Sequence, residues 1–209
     1  MNLILATTSQ FRIAFYEKLG FEVQAIASDE KEFYSDRSDP IKYVEELSKI
    51  KAHSVASRVT NGVVIGTDTV AVLDGKILEK PKTIQEAMEN MRRLQGRENL
   101  AISGITIYDK DQDICETLHE ITRVTFSPMS EEEIEWYIQH VPNVLQCAGY
   151  SVSTEGGRFV SKIDGDYYNI FGAPVSRVYQ ELKRLGSLKL DTGESNHKVL
   201  VNTKTTSRS

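Results

Sequence analysis

The 209-residue sequence contains few of the residues on which several protein classes depend. Its two cysteines, Cys115 and Cys147, lie too far apart for a CxxC-type metal or redox motif. Its four histidines are scattered, without the spacing that zinc ligands show. We therefore expect two reduced, mostly buried thiols and no zinc site.

Long apolar runs and an excess of positive charge are also missing. No stretch reaches the length of about 20 apolar residues that a membrane-spanning helix needs. The N-terminus lacks the basic segment and apolar core of a signal peptide, so we expect a cytoplasmic protein. The formal net charge of −5 argues against a general nucleic-acid binder, which needs a basic surface, but permits a local cationic pocket.

The composition that is present suits one domain with a packed core. Hydrophobic residues make up 40% of the chain and charged residues 26%. We expect this domain to span residues 1–186. The chain is polar from residue 187 onward, and we expect residues 187–209 to form a disordered tail.

Residues 63–81 contain the first candidate site. Their apolar start predicts a buried strand that ends at Gly66, which would place Asp68 just past its carboxyl end. An Asp-Gly turn then predicts a hairpin that returns Lys80 to the same region. An acid at the end of a buried strand, with a lysine beside it, is how α/β sheets commonly form polar sites. The alternative is a solvated acid in a turn.

The turn after the first predicted strand, residues 3–6, is a candidate anion site. Ser9 predicts the N-cap of a helix that ends at Gly20. Arg12 lies in the first turn of this helix, where a cation opposes the helix dipole and stabilises the helix little. The free N–H groups, the hydroxyls and Arg12 would together bind an anion. The alternative is an exposed surface arginine.

Two further charged residues are candidates for a functional role only if they lie near Asp68. Glu32 belongs to an acid-rich loop after the second predicted strand, and such loops are commonly just solvated. Lys51 falls within the apolar stripe of a helix predicted from Pro40 to about Arg58. A lysine in that position extends its ammonium group either to the edge of the core or into a cleft.

Several separated motifs resemble the Maf family of nucleoside triphosphate pyrophosphatases, also called septum-formation-inhibitor-like proteins. In chain order they are LILATTSQFR, SDEKE, KIKA, VIGTDTVAVLDGKILEKP, LQGRE, FSPMSEEEIEWYI and IDGDYYNIFGAPV. The resemblance implies an α/β fold of the inosine-triphosphatase-like kind. A long twisted mixed sheet with flanking helices would form two lobes, with the active-site cleft between them.

The resemblance also implies an activity, which is cleavage of a nucleoside triphosphate between its α and β phosphates to give the monophosphate and pyrophosphate. By position, Asp68 matches the family's catalytic acid and Glu32 a second acid. Together they would hold a divalent cation, Mg²⁺ or Mn²⁺, because carboxylates without histidine or cysteine suit a hard ion. The residues that match the family's phosphate contacts are Ser9, Arg12, Lys51 and Lys80.

Two residues that bear on substrate choice point in different directions. A threonine after the catalytic acid, here Thr69, resembles the pattern of members that prefer dTTP and UTP. A glutamate before a glycine in the late loop, here Glu155, resembles the pattern of members that prefer 7-methyl-GTP. Since Thr69 adjoins the catalytic acid, we expect pyrimidine or modified triphosphates, whose removal keeps them out of nucleic acids. A 7-methyl-GTP pyrophosphatase is the alternative.

The sequence also departs from the family pattern. Lys31 stands where the family usually has an acid, and Glu79 replaces a glycine beside Lys80. These changes agree with a second kind of function, a nucleotide-binding regulator of cell division with little turnover. A homodimer is expected from the resemblance alone.

Overall fold

The computed structural model describes residues 2–29, 34, 36–142, 144–145, 147, 150–152, 154–190 and 199–201. The helices in these residues are α1 (Gln10–Lys18), α2 (Pro40–Ala56), α3 (Ile84–Leu94), α4 (Glu131–His140) and α5 (Val175–Arg184), with 3-10 helices at Thr154–Phe159 and Tyr168–Phe171. The strands are β1 (Leu3–Leu5), β2 (Val23–Ala25), β3 (Val63–Leu73), β4 (Lys76–Ile77), β5 (Glu98–Asp109), β6 (Ile114–Phe126), β7 (Val160–Asp164), β8 (Leu188–Leu190) and β9 (Val199–Val201).

The long helices begin where side chains satisfy their first backbone N–H groups. The Asp39 carboxylate accepts hydrogen bonds from the N–H groups of Ile41 and Lys42, at 2.9 and 3.2 Å, so α2 begins at the proline that follows. The side chains of Ser130 and Glu133 form a reciprocal capping box at the start of α4. The start of α2 at Pro40 agrees with the sequence prediction, because capping is a local interaction.

Seven strands form one mixed sheet, in the order β2-β1-β3-β5-β6-β7, with β4 added to the end of β3. β1 pairs in parallel with β2 and β3, and the remaining pairs are antiparallel. The long strands β3, β5 and β6 form the centre of this sheet. The structure therefore confirms the predicted mixed α/β class.

The predicted position of Asp68 past the end of a strand is wrong. β3 does not end at Gly66, because β5 pairs with it from Val63 through Val72. On the other edge of β3, pairing with β1 stops at Ile65 and pairing with β4 starts only at Val72. Asp68 therefore lies within a strand whose second edge has no partner strand over residues 66–70 among the residues that the structure describes, and we call this the open edge of β3.

Two glycines, one in β3 and one in β5, allow the backbone of α2 to pack directly against the backbone of the sheet. A Cβ atom at Gly66 would lie 2.3 Å from the carbonyl oxygen of Ser48, and one at Gly104 would lie 2.1 Å from that of Val44. No side chain fits at either distance, so glycine at both positions is a packing requirement. The close crossing places Lys51 directly over β3.

The core is divided between two groups of helices that flank the same long strands. The first half of β3, through Ile65, packs with α1 and α5. Its second half, from Ala71, packs with α3 and α4. α2 covers the opposite face of the sheet. This arrangement gives the expected two lobes, which meet near the open edge of β3.

The chain after α5 differs from the expected tail over the residues that the structure describes. Ser187 is 1% exposed and donates a hydrogen bond to the buried carboxylate of Asp109. β8 and β9 then pair as short antiparallel strands. Residues 191–198 and 202–209 lie outside the described residues, so for them, and for the domain boundary at 186, the expectation stays a prediction.

Candidate active site

A cavity of about 690 Å³ lies where the two lobes meet. The β1–α1 turn forms one wall and the open edge of β3 forms the floor. The residues of the opposite wall are Pro142, Cys147, Tyr150, Ser151 and Val152. Phe171 and Gly172, at the end of the second 3-10 helix, complete the lining beside α1. The volume falls in the range of about 300–1,000 Å³ that is usual for small-molecule sites.

Asp68 and Lys51 form an ion pair within this cavity. Lys51 Nζ lies 2.7 Å from Asp68 Oδ1, and Lys51 is only 8% exposed. The sequence left two directions open for the lysine in the apolar stripe of α2, and the structure shows that it extends into the cavity. A nearly buried ammonium group requires a close partner, so each charge fixes the other in place.

The open edge of β3 brings two cations to one carbonyl group. Arg12 Nη1 donates to the carbonyl oxygen of Thr67 at 3.1 Å, and Lys51 Nζ lies 3.4 Å from the same oxygen. The oxygen is available because neither β1 nor β4 pairs with β3 there. Arg12 arrives from α1 and Lys51 from α2, so the two helices deliver positive charge from opposite faces of the sheet.

The β1–α1 turn has the form that the sequence predicts. Ser9 Oγ accepts a hydrogen bond from the N–H of Arg12 at 3.5 Å, and the N–H of Ser9 donates to Thr7 Oγ1 at 3.1 Å. Both hydroxyl-bearing residues line the cavity. The N-terminus of α1 therefore directs its N–H groups, hydroxyls and first-turn arginine at the cavity, an arrangement that favours an anion.

Lys80 lines the cavity, and the neighbouring Glu79 has a cationic partner of its own. Arg37 Nη1 lies 2.7 Å from Glu79 Oε1, and the Glu79 side chain is 71% exposed. The guanidinium group of Arg37 also lies over the ring of Tyr43, at 4.9 Å from its centroid. The negative charge that Glu79 adds beside Lys80 is therefore paired with an arginine from the β2–α2 connection.

The structure does not bring all the predicted residues together. Thr69 lines the cavity, whereas Glu155 is exposed on the first 3-10 helix and is not part of the lining. Glu32, which was predicted as a metal ligand, lies outside the described residues, as does Lys31. Within the described chain, no group of three or more acidic, histidine or cysteine side chains could hold a metal ion.

Cys147 lines the cavity, but its thiol is not suited to act as a nucleophile. Burial raises its pKa, against the opposing effects of a hydrogen bond to Ser151 and the charge of Lys80. A neutral thiol is a poor nucleophile. Cys115 differs from the expectation of a buried thiol, since it is exposed on β6 with its Sγ 3.8 Å from His53 Nε2.

Sequence reasoning missed two residues that contact predicted site residues. Ser103 Oγ lies 2.7 Å from Thr69 Oγ1, and Gly172 lies so close to Arg12 that a Cβ atom on it would be 2.6 Å from Arg12 Nη2. A serine inside an otherwise apolar strand and a glycine after a polar aromatic turn were the available signals. Neither signal indicates a partner, because both contacts join distant parts of the chain.

The charges in the lining define the kind of ligand that the cavity accepts. The described lining holds one carboxylate, Asp68, and three cationic side chains, Arg12, Lys51 and Lys80. An excess of positive charge beside a helix N-terminus suits a strongly anionic ligand. Fold and site therefore define a mixed α/β protein with a cleft between two lobes whose described lining suits an anionic ligand.

Comparison with known proteins agrees with this description. The family model described as Maf-like protein matches residues 2–185, and the chain belongs to this Maf family. Proteins named dTTP/UTP pyrophosphatase are similar to it. The one from Carboxydothermus hydrogenoformans is 35% identical over 89% of this chain and 100% of its own length. The one from Thermosipho africanus is 36% identical over 94% of this chain and 100% of its own length.

A search of solved structures finds the Staphylococcus aureus Ham1 protein. It has a TM-score of 0.41 and 13% sequence identity, covering 61% of this chain and 72% of that one. None of the helices in the described chain combines the length and the apolar character needed to cross a membrane.

Proposed function

We propose that this protein is a nucleoside triphosphate pyrophosphatase that hydrolyses the bond between the α and β phosphates. The observation that carries the proposal is the nearly buried Lys51–Asp68 ion pair at the open edge of β3. Arg12 lies beside it, because Arg12 and Lys51 both contact the carbonyl oxygen of Thr67. It places a carboxylate among cations in a cavity of nucleotide size. The names of the similar proteins support the same reaction.

Asp68 is the group that activates water. As the water oxygen attacks the α-phosphorus, its proton passes to the carboxylate, and the bond from that phosphorus to the bridging oxygen breaks. Pyrophosphate leaves with the bridging oxygen. Lys51 holds Asp68 Oδ1 at 2.7 Å, which fixes the orientation of the carboxylate for this role.

The cations stabilise negative charge on the phosphates. Arg12, Lys51 and Lys80 line the same cavity, and Ser9 places the helix N-terminus beside them. Charge that accumulates on the leaving pyrophosphate is best stabilised by cations already fixed in place. The contacts of Arg12 and Lys51 with Thr67 provide that fixation.

The residues present fit a divalent cation such as Mg²⁺ or Mn²⁺. In the described chain, Lys51 donates its hydrogen bond to Oδ1 of Asp68, which leaves Oδ2 of the same carboxylate to bind an ion. Mg²⁺ is commonly held by one or two carboxylates together with substrate phosphates, and Glu32 is the predicted second carboxylate. When bound, the ion would neutralise part of the triphosphate charge and orient its oxygens.

Pyrimidine triphosphates, dTTP and UTP or their modified forms, are the proposed substrates. The names of the similar proteins and the position of Thr69 in the cavity support this choice. The 7-methyl-GTP alternative rested on Glu155, which is exposed and outside the cavity lining.

We expect pyrophosphate release with dTTP and UTP in the presence of Mg²⁺, and its loss after chelation. The measurement is a panel of dTTP, UTP, GTP and 7-methyl-GTP, each assayed for pyrophosphate and for nucleotide binding. Preference for 7-methyl-GTP would contradict the proposed substrate class. Tight nucleotide binding without turnover would instead favour the regulator of cell division.

The Arg37–Glu79 ion pair leads to a smaller prediction. Replacing Arg37 with glutamine is expected to raise KM for the triphosphate about two- to threefold at low salt, since Glu79 is then unpaired beside Lys80. Glu79→Gln should leave KM near the original value. In the double variant KM should return to that value, and a rise that persists there would show that Arg37 does not act through Glu79.

A further inference from the structure

Ser28 has an unsatisfied hydroxyl group at the wall of the cavity. The residue belongs to the cavity lining, and its Oγ atom is buried without a hydrogen-bond partner in the described chain. A buried hydroxyl without a partner lowers the stability of a folded protein, and most buried polar groups therefore have one. An unsatisfied hydroxyl beside a ligand cavity indicates a partner that the ligand supplies.

The position of Ser28 is next to the anion-binding turn between β1 and α1. β1 and β2 pair in parallel with Leu5 opposite Ala25, and the N–H of Ile26 donates to the carbonyl oxygen of Leu5 at 3.0 Å. The carboxyl ends of the two strands therefore lie side by side. Ser28 follows β2 at the same edge of the sheet where Ser9 follows β1, and both serines line the cavity.

Helix α2 holds the residues on both sides of Ser28. Arg58 Nη1 donates to Asp29 Oδ2 at 2.5 Å, and Arg58 Nη2 donates to the carbonyl oxygen of Ala27. The N–H of Asp29 donates to Ser54 Oγ at 3.1 Å, and Arg58 Nε donates to the carbonyl oxygen of Ser54 at 3.0 Å. These four hydrogen bonds fix the backbone that carries Ser28.

The charges around the cavity determine what the hydroxyl meets. The described lining has three cationic side chains and one carboxylate, so the groups of a ligand that bind there are anionic oxygens. A serine hydroxyl donates to such an oxygen, and rotation about its Cα–Cβ bond moves Oγ among three staggered positions. An oxygen that enters the cavity can therefore accept a hydrogen bond from Ser28.

We propose that Ser28 is a phosphate-binding residue whose hydroxyl donates to a substrate phosphate, and that Arg58 is the residue that positions it. The proposal rests on the proposed function and adds two residues to its phosphate site. It predicts opposite effects of one hydroxyl on two properties. The hydroxyl lowers the stability of the ligand-free protein and strengthens the binding of phosphates.

The test is Ser28→Ala, with inorganic tripolyphosphate binding measured by calorimetry in the presence of EDTA and with pyrophosphate release from dTTP. We expect the Kd for tripolyphosphate to rise about tenfold and kcat/KM to fall by a similar factor. The melting temperature of the ligand-free variant should stay the same or rise, because the substitution removes a buried unsatisfied hydroxyl.

The matched control is Ser48→Ala, which removes a serine hydroxyl that has partners. Ser48 Oγ donates to the carbonyl oxygen of Glu45 at 2.7 Å and lies 2.8 Å from Thr106 Oγ1, and Ser48 is not part of the cavity lining. This variant should lose about 2–4 °C in melting temperature and keep its affinity for tripolyphosphate. The two serine variants should therefore show opposite patterns.

Arg58→Gln tests the positioning role. We expect it to raise the Kd for tripolyphosphate about threefold in the unaltered background, and to have no further effect in Ser28→Ala, because Arg58 acts through Ser28. Arg92→Gln is the control, since Arg92 also pairs with a carboxylate, that of Glu131, and lies outside the cavity lining. It should leave the Kd unchanged.

Three results would overturn the proposal: a Kd of Ser28→Ala within twofold of the original, a fall in its melting temperature as large as that of Ser48→Ala, or additive effects of Ser28→Ala and Arg58→Gln. Failure of the proposed function gives a different result, which is no pyrophosphate release by the unaltered protein. The tripolyphosphate measurement then decides alone. Equal affinity in the unaltered protein and in Ser28→Ala, or binding by neither, would reject the phosphate contact.

Discussion

Replacing Asp68 with asparagine is expected to lower kcat for pyrophosphate release by about 10³-fold, within the range of about 10²–10⁴ for general acid–base groups. Asparagine keeps the size of the side chain but cannot take a proton from water. It also removes the negative partner of Lys51, whose ammonium group is nearly buried 2.7 Å away. The measurement is steady-state release of pyrophosphate from dTTP at saturating Mg²⁺.

The matched control for this variant is Asp164→Asn, which changes an exposed carboxylate on β7 outside the cavity lining. It should retain the original kcat. Circular dichroism and the melting temperature of Asp68→Asn show whether the protein still folds without the ion pair. If a folded Asp68→Asn protein kept more than about a tenth of the rate, Asp68 would not be the group that activates water.

Replacing Gly104 with alanine is expected to have the largest effect on stability. The new Cβ atom would lie 2.1 Å from the carbonyl oxygen of Val44 and 2.6 Å from the N–H nitrogen of Glu45. Both are backbone atoms of α2, so no side-chain rotation relieves the overlap and the helix has to move. We expect a loss of about 3 kcal/mol or more in the free energy of unfolding, measured by chemical denaturation.

Gly75→Ala provides the comparison for Gly104→Ala. A methyl group added at Gly75 would have no atom within 4 Å, but the φ of +74° at this residue is unfavourable for alanine. This variant should lose only about 1–2 kcal/mol. Because α2 carries Lys51, a Gly104→Ala protein that still folds should also lose activity. Equal stability of the two variants would mean that α2 does not cross the sheet as closely as the structure shows.

The sequence predicted the features that depend on neighbouring residues. The cap at Ser9 and the start of α2 at Pro40 depend on short-range hydrogen bonds, and the structure has both. The Asp74-Gly75 turn was equally predictable, because both residues adopt the positive φ angles that such a turn requires. Local chemistry is sufficient for these features.

The position of Asp68 shows where local reasoning fails. Gly66 was interpreted as a break after an apolar run, yet the strand continues because β5 pairs with it. The residue is glycine because α2 lies too close for a side chain at this position. Both causes lie in other parts of the chain. A glycine required for packing and a glycine required for a turn look the same in a single sequence.

The contacts around the site were beyond prediction for the same reason. The pairing of Thr69 with Ser103 depends on the register of β3 and β5, and a shift of one residue would separate the two hydroxyls. The pairing of Glu79 with Arg37 depends on the path of a connection between a strand and a helix. The types of the site residues could be predicted, whereas their partners could not.

The open edge of β3 also has a consequence for self-association. An unpaired strand edge is a template onto which a strand of another molecule can add, and charged side chains, lysine above all, commonly prevent this. Here Arg12 and Lys51 both bond to the Thr67 carbonyl on that edge. The cations assigned to the phosphates therefore also protect the sheet from strand addition between molecules.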